Sequence, residues 1–163
     1  MYLLDTSIVL DLREARRPDG DTALAGWAER VPAQQMFLSA ATLLELENTA
    51  AAAARRAKDA GAAWREWIDG QVLPAFEERI LPVDAAVIRR RAQIPYADDR
   101  DGILAATALV HNLALVTSEP RKYRGGRVRV LDPAGLALDG ADDGDWREAT
   151  RSGAAWLRNL LIR

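Results

Sequence analysis

The chain alternates short apolar segments with longer segments in which apolar and polar residues recur at helical spacing. The apolar segments have the composition of buried strands, and they lie at residues 2–4, 36–38, 80–83, 113–116 and 128–131. The spacing between them predicts helices at residues 6–12, 22–30, 40–59, 62–78, 85–91 and 102–111. Short strands separated by helices predict an α/β fold whose parallel central sheet is covered by helices on both faces.

Several residues predict where these elements begin and end. Ser39 and Asp84 have the side chains that favour helix N-caps. Gly61 is predicted to end the Ala-rich helix, and Pro74 to kink or shorten the helix that follows. The charged segment 13–21, which contains Pro and Gly, predicts a loop.

Residues 134–163 differ in composition from the rest. The segment 139–144 predicts an acidic linker, and the stripe that follows it predicts an amphipathic C-terminal helix, through Trp146, Thr150, Gly153, Leu157, Leu160 and Leu161. This helix is expected to pack on its own domain or across a dimer, with a membrane-surface or antitoxin-like role as the alternative. We therefore expect one domain at residues 1–133 and a C-terminal helical extension at residues 134–163.

The amino-acid composition limits the kinds of functional site that the chain can form more than it limits its fold. The chain has 163 residues, of which 49% are hydrophobic, so it can bury one substantial core. It has no cysteine and one histidine, which excludes disulfides and zinc sites built from Cys and His. A net charge of −2 argues against a protein that coats nucleic acid by bulk positive charge. Without a signal peptide or a long apolar run, a cytoplasmic protein with no membrane segment is expected.

Four acidic residues stand where apolar segments end or are interrupted. Asp5 follows residues 2–4, Glu45 lies among leucines, Asp101 opens an apolar helix and Glu119 follows a strand. The carboxyl ends of parallel strands lie along one edge of a sheet, so these carboxylates are predicted to converge there. A metal ion held by these carboxylates would be bound through oxygen atoms, which are the ligands that Mg²⁺ and Mn²⁺ prefer.

Each of these acids also has a purely structural explanation. Asp5 could cap the helix near Thr6, and Glu119 could be a solvated loop acid. Glu45 has capping-box spacing from Thr42, although a cap at Ser39 would place Glu45 almost two turns into the helix.

Further polar residues are candidates for auxiliary roles at the same site. Thr6 and Ser7 offer hydroxyl groups that could orient a water molecule or a phosphate. Asp98 and Asp99 precede Asp101 near a helix start, where the macrodipole favours acids, so some of the three have a structural explanation.

A cluster of carboxylates is unfavourable unless a cation compensates it. Two carboxylates about 4 Å apart repel by about 4 kcal/mol at an effective dielectric constant near 20. A divalent ion removes this repulsion, activates water at neutral pH and neutralises charge on a phosphoryl group. These are the requirements of phosphodiester hydrolysis.

The order of these motifs resembles that of the PIN-domain ribonucleases, and in particular VapC- or FitB-type toxins of bacterial toxin–antitoxin pairs. The resemblance covers residues 1–133 and is carried by the segments Leu3–Ser7, Phe37–Leu46, Arg79–Pro82, Asp101–Ala108, Leu115–Glu119 and Val130–Pro133. It implies a three-layer α/β/α fold, Mg²⁺- or Mn²⁺-dependent cleavage of single-stranded RNA, a homodimer, and a cognate antitoxin that occupies the acidic pocket.

The resemblance also implies roles for single residues. Asp5, Glu45 and Asp101 match the acids of the family, and Thr117 matches its hydroxyl residue. Glu119 stands at a position that is more often Asp or Asn, which is a departure. Further departures are Ser7 for a frequent Asn, Ser118 for a frequent Arg, and Lys122 where some relatives carry another acid.

The basic loop after the fourth strand is a candidate RNA-binding surface. Arg121, Lys122 and Arg124 would place positive charge beside the acidic pocket, where it suits RNA phosphates, although a solvated loop would have the same composition.

The sequence therefore predicts an endoribonuclease in which Asp5, Glu45 and Asp101 bind metal and Glu119 joins them in catalysis. One alternative is a haloacid-dehalogenase-like phosphatase with Asp5 as nucleophile, but that family has a second Asp at the position of Ser7. The other alternative is a catalytically inactive PIN-like module that binds RNA or protein.

Overall fold

Five parallel strands form the centre of the molecule. The structure is a computed structural model that describes residues 1–15 and 22–133. Its strands are β1 (Tyr2–Leu4), β2 (Met36–Ser39), β3 (Ile80–Leu81), β4 (Ala114–Val116) and β5 (Val130–Leu131). They lie in the spatial order β3-β2-β1-β4-β5, and every neighbouring pair is parallel.

Helices connect the first four strands and cover both faces of the sheet. They are α1 (Thr6–Glu14), α2 (Thr22–Arg30), α3 (Ala40–Arg56), α4 (Lys58–Trp67), α5 (Leu73–Ala75), α6 (Ala85–Arg91) and α7 (Asp99–Val110). A π-helical turn at Ile68–Val72 joins α4 to α5, and single 3₁₀ turns lie at Ala33–Gln35 and Pro120–Tyr123. This architecture confirms the predicted three-layer α/β/α fold with a parallel sheet.

Two hydrophobic cores lie on the two faces of the sheet. Leu4 and Val116 pack into the larger core, which α1 to α5 complete. Leu3 and Leu115 pack on the opposite face against α7. Because successive strand residues point to opposite faces, a strand that is buried on both sides has a continuous apolar sequence. This is why the strand segments were recognisable as unbroken apolar runs.

Two predicted helix caps are confirmed. Ser39 Oγ accepts a hydrogen bond of 3.2 Å from the backbone N–H of Ala41, and Asp84 Oδ1 accepts one of 3.0 Å from that of Val87. The N-cap of α3 fixes where that helix begins, and so sets how far Glu45 lies from its start.

Several predicted boundaries were wrong. The first helix begins at Thr6, as predicted, but it runs through Glu14, into the segment predicted as a loop. The helix predicted to reach residue 78 ends at Ala75, and Pro74 lies in its last short segment, α5. The last helix begins at Asp99, because Asp98 caps it. Strands β3 and β5 each have two residues, so they are shorter than predicted.

The prediction that Gly61 ends the Ala-rich helix was also wrong. The chain leaves the helical conformation at Ala57, whose φ is −153° and ψ is 126°. Gly61 lies inside α4 and is buried against α3: a Cβ there would stand 2.3 Å from Ala54 Cβ and 2.6 Å from Ala54 Cα. Gly61 is therefore needed for the close approach of the two helices.

We expect Gly61→Ala to destabilise the protein. Overpacking costs about 1–3 kcal/mol and exceeds the gain in helix propensity of up to about 1 kcal/mol, because backbone atoms of α3 must move. Gly70→Ala is the matched control, since nothing lies within 4 Å of a Cβ at that position. Urea denaturation of both variants measures the effect, and a Gly61→Ala variant as stable as Gly70→Ala would contradict this packing.

Two further expectations concern a membrane segment and the C-terminal extension. Among the described residues, no helix is long and apolar enough to cross a membrane. The acidic linker and the C-terminal helix predicted for residues 134–163 lie outside the described residues.

Candidate active site

The candidate site lies where the strand order reverses. Strands β1, β2 and β3 follow one another in one direction across the sheet, whereas β4 and β5 lie on the other side of β1. In open parallel sheets, ligands bind outside the carboxyl ends of the strands at such a reversal. Asp5 follows β1 there, and its backbone N–H donates a hydrogen bond of 2.9 Å to the carbonyl of Val116, the last residue of β4.

Asp5 is held by a side chain from the neighbouring strand. Its side chain is buried, with 8% of the residue exposed, and makes no capping hydrogen bond although Asp5 occupies the N-cap position of α1. Instead, Thr117 Oγ1 donates a hydrogen bond of 2.6 Å to Asp5 Oδ2. Thr117 Oγ1 in turn accepts a bond of 3.0 Å from the backbone N–H of Glu119. The carboxylate of Asp5 is thus oriented toward the site, as a functional group would be.

Glu45 reaches the same site from α3. One carboxylate oxygen accepts a hydrogen bond from the hydroxyl of Thr6, and the other lies 3.6 Å from Arg100 Nη1. Thr42 Oγ1 lies 3.5 Å from the carbonyl of Leu4, and Ser39 caps the helix. The capping-box explanation of Glu45 is therefore wrong.

Asp101 enters from the first turn of α7. Asp98 Oδ1 caps this helix by accepting hydrogen bonds from the backbone N–H groups of Arg100, at 2.8 Å, and Asp101, at 3.2 Å. Tyr123 OH lies 3.5 Å from Asp101 Oδ1 and also 3.5 Å from Asp5 Oδ2. A phenol has one proton, so Tyr123 can donate to only one of these carboxylates at a time.

The three acids share one pocket of about 220 Å³ that is open to solvent. Its lining consists of Asp5, Thr6, Ala41, Thr42, Glu45, Arg100, Asp101 and Leu104. Three of the four acids predicted to converge therefore meet at one small hollow, whereas Glu119 does not line it.

The carboxylates are spread around this hollow. Among residues 1–15 and 22–133, no three His, Asp or Glu side chains lie close enough together to form a metal-binding group as they stand. Their oxygens are occupied by hydroxyl and guanidinium donors of the protein, above all those of Thr117, Thr6 and Arg100. Cation binding would thus require these side chains to move.

Negative charge nevertheless accumulates in the pocket. Burial raises the pKa of the Asp101 carboxyl above its ordinary value, and Asp98 and Asp5 raise it further, against the opposing effect of Lys122 and Tyr123. The hydrogen bond from Lys122 to Glu119 raises the pKa of the lysine, to which Asp101 and Asp5 add. Burial also raises the pKa of Tyr123, so its phenol stays protonated as a donor.

We expect Asp101→Asn to stabilise the protein when divalent ions are absent. The pKa of Asp101 in the folded state lies above 3.8, so the folded protein holds this proton more tightly than the unfolded chain does. Stability is therefore lost as pH rises through the folded-state pKa, and Asn removes that loss. The Tm of Asp101→Asn in EDTA should exceed that of the wild type at pH 7, with the difference vanishing near pH 3. An equal difference at both pH values would contradict the charge explanation.

The other predicted site residues lie around the pocket without lining it. Glu119 is bound by Lys122, whose Nζ lies 2.6 Å from Glu119 Oε2. Asp99 is 89% exposed at its side chain and pairs with Arg91 at 2.9 Å. Ser7 Oγ is buried and has no hydrogen-bond partner among the described residues. Arg121 and Arg124 are exposed beside Lys122 in the loop that follows β4.

Sequence reasoning missed two residues of the site. Arg100 lies among aspartates at the start of a helix, where a solvent-exposed ion pair would be expected from the sequence. In the structure it lines the pocket. Tyr123 is the one aromatic residue in the basic loop between Glu119 and Val128, and this contrast was the available signal. Its ring is buried in the second core while its hydroxyl lies between Asp5 and Asp101.

Comparison with known proteins agrees with the fold and with the order of the motifs. The family model described as PIN domain matches residues 2–127. The chain belongs to the PIN domain family. This PIN domain is 31% identical over 141 residues to Toxin FitB from Neisseria gonorrhoeae, a match that covers 82% of the chain and 98% of that protein.

Another relative and a solved structure extend the comparison. The PIN domain is 27% identical over 141 residues to VapC ribonuclease Y4jK from Sinorhizobium fredii, which covers 82% of the chain and 97% of that protein. It also superposes on the crystal structure of FitAcB from Neisseria gonorrhoeae with a TM-score of 0.72 and 29% identity, over 82% of the chain and 99% of that one. The resemblance seen in the motifs thus extends to the whole described domain.

Proposed function

We propose that this PIN domain is a divalent-metal-dependent endoribonuclease and the toxin of a toxin–antitoxin pair. The observation that carries the proposal is the open pocket in which Asp5, Glu45 and Asp101 meet at the carboxyl end of the sheet. Similarity to a VapC ribonuclease and to Toxin FitB supports the reaction class and the biological role.

The residues of the pocket fit a hard divalent cation. The donors available are carboxylate and hydroxyl oxygens, which suit Mg²⁺ or Mn²⁺. Burial above all, and then the charges of Asp98 and Asp5, raise the pKa of Asp101, so its carboxylate is destabilised in the free protein and a bound cation would oppose this effect. Asp5, Glu45 and Asp101 would hold the ion, which when bound activates water and neutralises charge on the phosphoryl group. Glu119 could join them only after its carboxylate leaves Lys122.

The surrounding residues orient these acids and bind the substrate. Thr117 donates a hydrogen bond to Asp5, and Thr6 donates one to Glu45. The hydroxyl of Tyr123 can donate a hydrogen bond to either Asp5 or Asp101. Lys122 stands beside the pocket, and the exposed side chains of Arg121 and Arg124 add positive charge to the same loop. This loop would bind the phosphates that flank the scissile bond.

The proposal includes protein partners. The toxin role implies a cognate antitoxin that inhibits by occupying the acidic pocket, and the resemblance implies a homodimer. Co-expression with the product of the neighbouring upstream gene is expected to relieve growth arrest caused by this chain. Growth arrest that is unaffected by that product would count against this gene product as the antitoxin.

Removal of metal tests the proposed reaction. Purified protein should cleave single-stranded RNA in Mg²⁺ or Mn²⁺, lose this activity in EDTA, and regain it when Mn²⁺ is added in excess. The expected loss is at least about 100-fold, because both water activation and charge neutralisation are removed. Cleavage that continues undiminished in EDTA would contradict metal dependence.

A catalytically inactive RNA- or protein-binding module remains the second candidate. Arg100 lies 3.6 Å from Glu45 and Lys122 lies 2.6 Å from Glu119, so two of the four acids already have cationic partners. Such a module would bind RNA with the same affinity in EDTA and in Mn²⁺ and would cleave it in neither. The metal-removal experiment separates the two candidates.

A further inference from the structure

Arg100 is a cation inside a pocket that is otherwise acidic. Its Nη1 lies 3.6 Å from Glu45 Oε1 on α3, and its Nε lies 3.7 Å from Asp98 Oδ1 at the start of α7. The Arg100 side chain is 70% exposed, whereas that of Glu45 is 26% exposed. The guanidinium is therefore largely open to solvent while it contacts the more buried carboxylate of Glu45.

This contact places Arg100 in competition with any cation that binds Glu45. One oxygen of Glu45 accepts a hydrogen bond from Thr6, and the other faces Arg100. A divalent ion that takes an oxygen of Glu45 must displace or weaken one of these partners. Since Arg100 is largely exposed, its ion pair is weak and the exchange costs little.

A displaced Arg100 would be available to the substrate. The planar guanidinium presents a fork of N–H donors that matches a phosphate group and binds it more tightly than a lysine does. Arg100 lines the same pocket as Asp5 and Asp101, so a phosphate placed there for cleavage would lie within its reach. Its second partner, Asp98, also caps α7, and the contact with Nε ties the guanidinium to the start of that helix.

We propose that Arg100 couples metal binding to RNA binding. In the free protein Arg100 is held by Glu45, and when Glu45 binds the metal ion Arg100 is released to bind a phosphate of the RNA. This inference rests on the proposed function and adds a substrate-binding residue and a linkage to it. Linkage is reciprocal, so RNA must tighten metal binding by the same factor by which metal tightens RNA binding.

The test measures two affinities rather than activity. Calorimetry gives the Kd for Mn²⁺ without RNA, and fluorescence anisotropy gives the Kd for a labelled 2′-O-methyl RNA oligonucleotide, shown to stay intact, with and without Mn²⁺. In Arg100→Gln we expect Mn²⁺ to bind roughly 2- to 5-fold more tightly, because its competitor is gone. In Mn²⁺ we expect the oligonucleotide to bind roughly 10-fold more weakly, because a charged hydrogen-bond donor is lost.

Two further variants control for charge and shape. Arg65→Gln also removes one positive charge, from an ion pair in which Arg65 Nη1 lies 3.1 Å from Glu47 Oε2. Glu47 is on the same helix as Glu45, but neither Glu47 nor Arg65 lines the pocket. Arg65→Gln should leave both affinities unchanged. Arg100→Lys keeps the charge without the fork, and it should bind the oligonucleotide with intermediate affinity.

Opposite shifts in the two affinities of Arg100→Gln, with Arg65→Gln unchanged, would support the coupling. An unchanged Kd for Mn²⁺ in Arg100→Gln would overturn it, and so would a weakening of both affinities, which indicates a structural role. Wild-type protein that binds no Mn²⁺ would overturn the metal-dependent function itself, so failure of the two proposals can be told apart.

Discussion

Asp5→Asn is expected to lower the rate of RNA cleavage by about 1000-fold, which corresponds to about 4 kcal/mol of transition-state stabilisation. Asn has nearly the shape of Asp, and its carbonyl oxygen can still accept the hydrogen bond that Thr117 donates at 2.6 Å. The substitution therefore removes the charge while it keeps the packing of a buried side chain. The rate is measured with a single-stranded RNA in Mn²⁺ under single-turnover conditions.

Asp69→Asn is the matched control for this variant, because Asp69 is an exposed acid on the π-helical turn, away from the pocket. It should cleave RNA at the wild-type rate. Circular dichroism of Asp5→Asn should match that of the wild type, which excludes unfolding as the cause of the loss. An Asp5→Asn variant that retains more than about a tenth of the wild-type rate would contradict a catalytic role for Asp5.

Arg79→Met is expected to lower the free energy of unfolding by about 3 kcal/mol. The guanidinium of Arg79 donates hydrogen bonds to the carbonyls of Ala33, at 2.6 Å, of Met36, at 2.8 Å, and of Ala75. Arg79 is half-buried, and this burial lowers the pKa of its guanidinium. Met preserves the length of the side chain but removes all three hydrogen bonds that Arg79 donates, and of the three carbonyls that of Ala33 keeps the backbone N–H of Met36 as a donor.

Two other variants test whether the loss of stability in Arg79→Met comes from its three hydrogen bonds. Arg79→Lys keeps the charge but cannot reach three carbonyls at once, so we expect it to be intermediate in stability. Arg129→Met removes an exposed arginine that bonds to the carbonyl of Asn112 at 3.0 Å, and it should cost less than about 1 kcal/mol. Urea denaturation compares all three, and equal losses in Arg79→Met and Arg129→Met would contradict the bridging role of Arg79.

Sequence alone predicted best those features that are determined by residues close together in the chain. Buried strands of a parallel sheet are continuous apolar runs, which located β1, β2 and β4, while the half-buried edge strands β3 and β5 were found within longer segments that also contain Pro82 and Arg129. Ser39 is a local cap and was assigned correctly. The meeting of Asp5, Glu45 and Asp101 was predictable in part, because the direction of parallel strands places Asp5 at the carboxyl edge of the sheet, whereas Glu45 and Asp101 reach that edge from α3 and α7.

The features that were missed depend on contacts between distant parts of the chain. Gly61 has the composition of a helix break, and only its contact with Ala54 shows that it permits two helices to approach. Tyr123 is separated from Asp5 by 118 residues, so nothing near it in the sequence indicates that its hydroxyl lies between two carboxylates. Arg100 resembles a solvated charge because its partner Glu45 lies on another helix.

Glu119 illustrates the limit of carrying a family motif over to one chain. Its position after β4 matched that of a family acid, although the residue type departed from the usual Asp or Asn. In the structure a 3₁₀ turn at Pro120–Tyr123 brings Lys122 against Glu119, at a distance of 2.6 Å. A role for Glu119 in catalysis stays a prediction, and it requires this ion pair to open.

The location of a bound ion tests the central claim most directly. Crystals grown with Mn²⁺ and measured near the manganese absorption edge reveal the ion by its anomalous scattering. We predict a peak inside the pocket, within coordination distance of carboxylate oxygens from at least two of Asp5, Glu45 and Asp101. An empty pocket at saturating Mn²⁺, or a peak held only by acids outside it, would contradict a shared metal site.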